Sequence, residues 1–430
     1  MSDIYREWGF TENPFQTTAL LPNERGNRLL IGRDAEMEKL RKVLRHGPKL
    51  VTLEGANGVG KTSLVNIAAY RAFMEHISKG EGPLLIPCGK MFQLKPDQDS
   101  DMFVDSVLLE IAQTLIDQAK VIKNSGRSLP STKALDRWIN SPQLNSWQGS
   151  IGAATVSFGA GKTSETNTSE GFSRSGLRKE VLGWLNTVFP AEAGGGGLVC
   201  TIDNLELLQT SKNVRQSLEQ LRDQILLVPG IRWVLCGALG IVQSVASSPR
   251  LEGFLHKPIE VAGIDHSHAP QILESRIEAY SAGTDVYMPI TPKDFAHLYD
   301  VLNRNTRNTM NRLDNYCLWA SDQARFETDE VKSAKYHEWL SIEATGALAA
   351  VRAQLTPRAW QLFERTIEIG GTFSPSDFQE LGFNNQPNLS LHVRSLEEAG
   401  LLVSSQDESD KRRKTVQLTP KGWLVKYARG

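Results

Sequence analysis

Residues 55–62 read Gly-Ala-Asn-Gly-Val-Gly-Lys-Thr, which is the G-x-x-x-x-G-K-T pattern of a phosphate-binding loop. An apolar run, 50–53, precedes this loop, and a helical pattern of apolar residues follows it. Glycines let backbone N–H groups turn toward the β- and γ-phosphates, the lysine adds a positive charge, and the helix points its positive end at the anion. The pattern and its context therefore predict a nucleoside triphosphate site.

Asp203 ends a second apolar run, 198–202, which predicts a buried strand. At the carboxyl end of a parallel strand this carboxylate would face the phosphate loop and hold Mg²⁺ together with the Thr62 hydroxyl. We therefore expect Thr62 and Asp203 to be metal ligands. The predicted nucleotide contacts are Gly55, Asn57, Gly58, Val59, Gly60, Lys61, Thr62, Ser63 and Asp203.

Composition narrows the partners that the chain can recruit. The 430 residues carry 48 Lys and Arg against 49 Asp and Glu, so any contact with nucleic acid must come from local patches. Four cysteines without a C-x-x-C pair argue against a zinc knuckle or a disulfide framework and favour a reducing compartment. No apolar run reaches spanning length and the first residues start no signal peptide, so we expect a cytoplasmic protein without a membrane partner.

Strand-like apolar runs alternate with helical patterns between residues 31 and 264, which predicts an α/β domain with a parallel sheet covered on both faces. Asp34 is predicted to cap the first helix of this domain. An insertion rich in Gly, Ser, Thr and Asn occupies 124–178. The remaining units are an irregular aromatic arm draped over the α/β domain, a helical lid with a linker, and a small C-terminal unit, predicted at 1–30, 265–350 and 351–430.

The insertion contains a second Lys-Thr pair in the segment 159–163, Gly-Ala-Gly-Lys-Thr. Val156 stands where the first glycine of a phosphate loop belongs, and no buried strand precedes the segment. We therefore expect no second nucleotide site here. An alternative role for the segment is a basic hairpin tip that contacts a partner.

The residue that would activate the attacking water is harder to assign. Asn204 follows Asp203, and an amide cannot accept a proton as a carboxylate does. Either Glu206 supplies the base, which is our prediction, or hydrolysis is slow and the protein acts as a switch. The strand 231–236 ends at Gly237 without a polar γ-phosphate sensor, and nothing decides whether a serine at 244, 247 or 248 replaces it.

Two arginines are candidates for contact with the γ-phosphate. Arg250 precedes the last predicted strand, where a subunit-edge arginine would reach a neighbour's nucleotide. Arg307 opens a helix in the lid and would fold over the site of its own chain. The alternative for each is an ordinary solvated surface arginine.

The order of these motifs resembles that of AAA+ ATPases, in particular the origin-recognition or initiator-type group and related signal-transducing ATPases. The resemblance covers about residues 1–320. It rests on Gly32-Arg33-Asp34, the phosphate loop, Asp203, Arg250 and Arg307. It implies that the cofactors are ATP and Mg²⁺, that residues 31–34 and the Pro14-Phe15 arm border the adenine, that Arg250 is the trans arginine finger, and that Arg307 is the lid sensor.

The C-terminal unit is predicted to be a winged helix-turn-helix, with three helices and a hairpin closing one core. The segments 396–402, 407–413 and 418–422 resemble those of a MarR-type winged helix. The resemblance implies that the third helix enters a major groove while the wing contacts a minor groove or phosphates. The predicted contacts are Asn388, Ser390, His392 and Arg394 on the helix, and Lys411, Arg412, Arg413 and Lys414 on the wing.

The charge of this unit leaves its partner open, because residues 353–430 hold ten Lys and Arg against nine Asp and Glu. The leading prediction is an AAA+ ATP-driven switch that forms a homo-oligomer and binds double-stranded DNA, in replication, transposition or antiphage defence. An alternative is a nucleotide-gated adaptor whose winged helix docks an effector protein. A third reading, a MarR-like transcription regulator, predicts a dimer and a palindromic site.

Overall fold

The computed structural model describes residues 3–47, 49–96, 98–131, 133, 174–190, 195–208, 211–238, 250–406 and 414–430. Its central sheet has five parallel strands in the order β2-β3-β4-β1-β5. The residues of β1 and β3 are buried throughout, as expected for strands covered on both faces. The strands are β1 Val51–Glu54, β2 Leu85–Pro87, β3 Gly197–Ile202, β4 Ile231–Gly237 and β5 Ile259–Glu260.

Helices cover both faces of this sheet and bury two separate apolar clusters. One cluster includes Phe103, Trp184 and Trp233, and the other includes Leu40 and Leu64. The helices up to the lid are α1 Ile4–Glu7, α2 Glu24–Leu29, α3 Asp34–His46, α4 Lys61–Lys79, α5 Ser100–Asp117, α6 Ala119–Asn124, α7 Arg174–Val188 and α8 Ser211–Leu221. The predicted α/β fold class is therefore confirmed.

The lid is helical as predicted, and a winged helix follows it. The lid helices are α9 Ala269–Tyr280, α10 Pro292–Val301, α11 Thr306–Ser321 and α12 Asp329–Arg352. The winged helix comprises α13 Pro357–Glu368, β6 Thr372–Phe373, α14 Gln386–Glu398, β7 Leu402–Gln406, β8 Lys414–Leu418 and α15 Pro420–Arg429. Its three strands form an antiparallel sheet in the order β6-β8-β7.

The lid, the winged helix and the start of the chain share one hydrophobic core. Tyr5 and Phe15 from the arm, Tyr316 from α11, and Phe363 and Leu424 from the winged helix are buried in the same cluster. Helix α15 packs along α12 and also contacts α10. A displacement of the lid would therefore carry the winged helix with it, because breaking this core would expose a large apolar surface.

Several sequence expectations need correction. The arm is not irregular, since it contains α1 and α2, and its aromatic first half packs into the lid core because that core offers a larger apolar surface. Asp34 is the first residue of α3 rather than its cap, a position held by Arg33. A π-helical turn, Arg222–Leu226, follows α8, and the second of the three helices predicted for the winged helix is a single 3-10 turn, Pro375–Asp377. Most of the predicted insertion, including the segment 159–163, lies outside the described residues.

Candidate nucleotide site and winged-helix surface

The phosphate loop joins the end of β1 to the start of α4, as the sequence predicts. Gly58 and Gly60 have φ angles of 85° and 99°, a region that other residues rarely adopt. A Cβ at Gly58 would lie 2.6 Å from Asn305 Oδ1 and 2.8 Å from Arg307 Cβ. Glycine at this position therefore permits both the turn of the loop and the close approach of the lid.

The functional side chains of the loop converge with the carboxylate that ends β3. Lys61 is 6% exposed, and its Nζ donates to the carbonyl oxygens of Gly55 at 3.0 Å and Ala56 at 3.1 Å. Thr62 Oγ1 donates to Asp203 Oδ2 at 2.6 Å. A hydroxyl and a carboxylate held this close suit Mg²⁺, which takes one or two protein ligands together with phosphate and water oxygens. The donor set therefore fits the predicted metal.

A cavity opens above this loop and carries a strong excess of positive charge. Its lining includes Asn57, Val59, Ser63 and other loop residues, and extends over the arm and the lid. The charged residues in the described lining are four cations and one carboxylate: Arg33, Lys61, Arg276, Arg307 and Asp203. The cation-rich lining suits a polyanionic ligand such as a nucleotide.

The lid touches the phosphate loop directly at the start of α11. The backbone N–H of Arg307 donates to Gly58 O at 3.2 Å, and Asn305 Nδ2 donates to Asn57 O at 2.6 Å. Asn305 also caps α11, because its Oδ1 accepts from Asn308 N. The Arg307 side chain is exposed and lines the cavity, and its predicted contact with the γ-phosphate stays a prediction.

The two candidates beyond Asp203 behave differently. Asn204 lines the cavity with a φ of 55°, and its backbone N–H donates to Asp203 Oδ1 at 2.9 Å. Asparagine tolerates this left-handed conformation better than glutamate, which gives a backbone reason for its presence. Glu206 is not among the residues that line the cavity, and its Oε2 accepts from Ala238 N at 3.1 Å at the tip of β4.

Arg250 lies away from the cavity of its own chain. Its side chain is 74% exposed, and Nη1 is 3.8 Å from Glu219 Oε2. Its backbone oxygen accepts from Arg222 Nη1 at 3.2 Å. The position leaves the guanidinium accessible from outside the chain. The serines at 244, 247 and 248 lie outside the described residues.

Two further arginines line the cavity but are not among the predicted nucleotide contacts or catalytic residues. Arg33 is 3% exposed and donates to Val59 O and to Glu36 Oε1, each at 2.7 Å. Arg276, from α9, is 7% exposed, and burial lowers the pKa of its guanidinium. Arg33 had a sequence signal in the resemblance of 32–34, whereas Arg276 reaches the cavity only through the packing of the lid.

The winged-helix surface presents part of the predicted DNA-contact set. Asn388, Ser390 and Arg394 are exposed along α14. His392 is half-buried, with its ring 5.5 Å from that of Phe383, and burial and the nearby Arg358 lower its pKa. On the wing, Lys414 begins β8, while Lys411, Arg412 and Arg413 lie outside the described residues.

Comparison with known protein families gives a match in the C-terminal unit. A family model described as a winged helix DNA-binding domain matches residues 383–422. No curated protein sequence matches the chain. No helix in the described part of the chain is both long and apolar enough to cross a membrane.

Solved structures of origin-recognition and Cdc6 proteins are similar to the whole chain. The Aeropyrum pernix ORC2 protein in ADPNP–ADP complexes is 12% identical, with 98% of this chain and 97% of that chain covered and a TM-score of 0.47. The ORC1 protein of the same organism, in complex with DNA, is 14% identical, with 94% of this chain and 96% of that chain covered and a TM-score of 0.43. Cdc6p from Pyrobaculum aerophilum is 13% identical, with 97% of each chain covered and a TM-score of 0.41.

Proposed function

We propose that this chain is an ATP-dependent molecular switch whose winged helix binds double-stranded DNA. The observation that carries the proposal is the convergence of Lys61, Thr62 and Asp203 beneath a cavity that the arm and the lid line. ATP would take its phosphates to the loop and its base toward the arm. The cationic lining would offset the negative charge of the triphosphate.

Each residue has a defined task in this proposal. Lys61 would exchange its two carbonyl partners for β- and γ-phosphate oxygens, and Thr62 and Asp203 would hold Mg²⁺. When bound, the metal neutralises charge on the phosphates. Arg307 would donate to the γ-phosphate from the lid, so that the lid senses whether that phosphate is present.

The core that the lid and the winged helix share would couple the nucleotide state to the position of the winged helix. The lid contacts the phosphate loop through Asn305 and Arg307 and packs against α15 at its other end. A change of the lid on ATP binding would therefore move α14 relative to the α/β domain. This coupling is what we mean by a switch.

Assembly and hydrolysis belong to the same proposal. The exposed Arg250 would act on the nucleotide of a neighbouring copy, making the homo-oligomer the hydrolytic form. Glu206 would orient the attacking water only after releasing Ala238 N, so we expect slow turnover. The cellular settings that fit are replication, transposition and antiphage defence.

An effector-binding adaptor is the second candidate, and one observation favours it. Leu391 is 66% exposed in the middle of α14, beside the polar residues predicted to read DNA. An apolar side chain there suits a protein partner, and the near-neutral charge of the unit points the same way. A DNA partner instead predicts binding that weakens steeply with salt.

Calorimetry with MgATP tests the nucleotide site. We expect Lys61→Ala to weaken binding by at least about 100-fold, since it removes the cation that touches the phosphates. The matched control is Lys79→Ala, at the exposed far end of the same helix, which should bind as the wild type does. Equal affinity of the two variants would remove the loop from the site.

A further inference from the structure

Arg276 is a buried cation without a carboxylate partner among the described residues. It is 7% exposed, its Nη1 donates to Pro14 O at 2.5 Å, and its Nε has no hydrogen-bond partner there. Arg33, which is as deeply buried, is satisfied by Glu36 and Val59. A buried guanidinium with an unused donor is costly unless a ligand completes its contacts.

The side chain lies where such a ligand would be found. Arg276 lines the same cavity as Lys61 and Arg307, and Ile272 lines it from one turn earlier on α9. It also reaches the arm through Pro14, and the segment 16–20 that follows in the arm lines the cavity too. Arg276 is therefore the point where the lid, the arm and the cavity meet.

The arm is held at both ends of this lining segment. Arg276 binds Pro14 at one end. At the other end, Leu20 N donates to Ser63 Oγ at 3.1 Å, and Asn66 Nδ2 donates to Leu20 O at 2.9 Å. The segment therefore spans from the lid to the helix that follows the phosphate loop, so a ligand in the cavity would contact all three.

We propose that Arg276 is a nucleotide-binding residue that donates to the nucleoside end of the bound nucleotide while its Nη1 holds the arm against the same ligand. This inference rests on the proposed function. The phosphate end of the cavity is marked by the loop, Asp203 and Arg307. The rest of the lining includes the arm segment 16–20 and apolar residues that suit the faces of a base: Leu29, Ile31, Ile264 and Ile272. Ring nitrogens and ribose oxygens would accept from the guanidinium.

Arg276→Met tests the assignment, because methionine keeps an unbranched side chain and removes every donor. We expect MgATP affinity to fall by about 10- to 100-fold, which is the range for loss of a charge-assisted hydrogen bond. Binding of inorganic tripolyphosphate should stay within about twofold of the wild type, since it lacks a nucleoside. The melting temperature without nucleotide should change little, because the variant also removes an incompletely satisfied buried charge.

Arg71→Met is the matched control. Arg71 Nε also donates to the arm, at Asn27 Oδ1 and 2.7 Å, but Arg71 does not line the cavity. This variant should bind MgATP within about twofold of the wild type. Arg276→Lys keeps the charge and should lose less affinity than Arg276→Met, and it serves as the test if the methionine variant does not fold.

Three outcomes would overturn the assignment. Unchanged ATP affinity with a strongly lowered melting temperature would mean that Arg276 only stabilises the position of the arm. An equal loss of tripolyphosphate binding would place it at the phosphate end. If Arg71→Met weakens ATP binding as much as Arg276→Met does, the loss of affinity comes from displacement of the arm and not from a contact with the nucleotide. Absence of ATP binding by the wild type would instead remove the proposed function, and this inference with it.

Discussion

The proposed nucleotide cavity and the proposed DNA surface of the winged helix would bind their ligands in different ways. The cavity gathers Lys61, Asp203 and Arg307 from separate elements into a concave site with four cations against one carboxylate. The winged helix displays Asn388 and Arg394 on one exposed helix, in a unit with almost balanced charge. The cavity already holds, within one chain, the charges that a triphosphate would need. The winged helix would need several weak phosphate contacts, from the wing or from neighbouring copies.

The largest expected effect concerns a residue that belongs to neither site of its own chain. If Arg250 acts on a neighbour's nucleotide as proposed, Arg250→Ala should lower assembly-dependent ATP hydrolysis by about 1,000-fold, the size of effect known for arginine fingers, and leave ATP affinity unchanged. Steady-state turnover measured over a series of protein concentrations checks this. Turnover that is independent of concentration and indifferent to the substitution would make Arg250 a surface residue.

A second prediction addresses the winged helix. Replacing Arg412 and Arg413 together by Ala should reduce the slope of log affinity against log salt by about 2, because two phosphate contacts are lost. Titrations of a generic duplex at several salt concentrations measure the slope. The control is Arg365→Ala, in an exposed pair with Glu368 on α13. No duplex binding by the wild type at low salt would favour the effector adaptor.

A third prediction concerns the metal. Asp203→Asn should weaken ATP binding in the presence of Mg²⁺ by about 10-fold and have little effect when EDTA is present, because the carboxylate acts through the ion. Paired calorimetric titrations with and without Mg²⁺ separate the two. An equal loss in both conditions would mean that Asp203 supports the loop only through Thr62.

The smallest effect is expected at the contact between the lid and the loop. Asn305→Ala removes a helix cap and the bond to Asn57 O, so we expect a loss of about 1 kcal/mol in the free energy of unfolding and a several-fold loss of ATP affinity. Thr356→Ala is the control. Thr356 caps α13, because its Oγ1 accepts from Ala359 N at 3.2 Å. This variant should lose a similar free energy of unfolding and keep the ATP affinity of the wild type. Equal ATP affinity of the two variants would separate the lid from nucleotide binding.

The parts of the site that are local in sequence were predictable. The spacing of 55–62 and the apolar strand before Asp203 identify the loop and the carboxylate, because parallel strands bring their carboxyl ends to one edge. Lys61 was identified by its motif and Arg307 by its place at the start of a lid helix, whereas charge alone did not distinguish Arg276 from an ordinary surface residue. Arg276 reaches the cavity from a lid helix more than 200 positions along the chain from the loop, and only tertiary packing places it there.

Other differences also have physical causes. From the sequence, Asn204 was interpreted as the loss of a catalytic carboxylate. In the structure its φ is 55°, a left-handed conformation that asparagine adopts more readily than glutamate. His392 fits an exposed helical position by spacing, yet its ring packs near Phe383. The aromatic arm was assigned to the nearest domain in sequence, whereas Tyr5 and Phe15 are buried in the lid core. Periodicity identifies an apolar face but not the surface that covers it.

Hydrogen exchange of the wild-type protein with and without MgATP tests the central claim most directly. If a triphosphate fills the cavity and the lid closes on it, backbone amides in 55–62 and in 305–310 should both become protected, while those of α13 stay unchanged. Unchanged exchange in both segments at saturating MgATP would contradict the account.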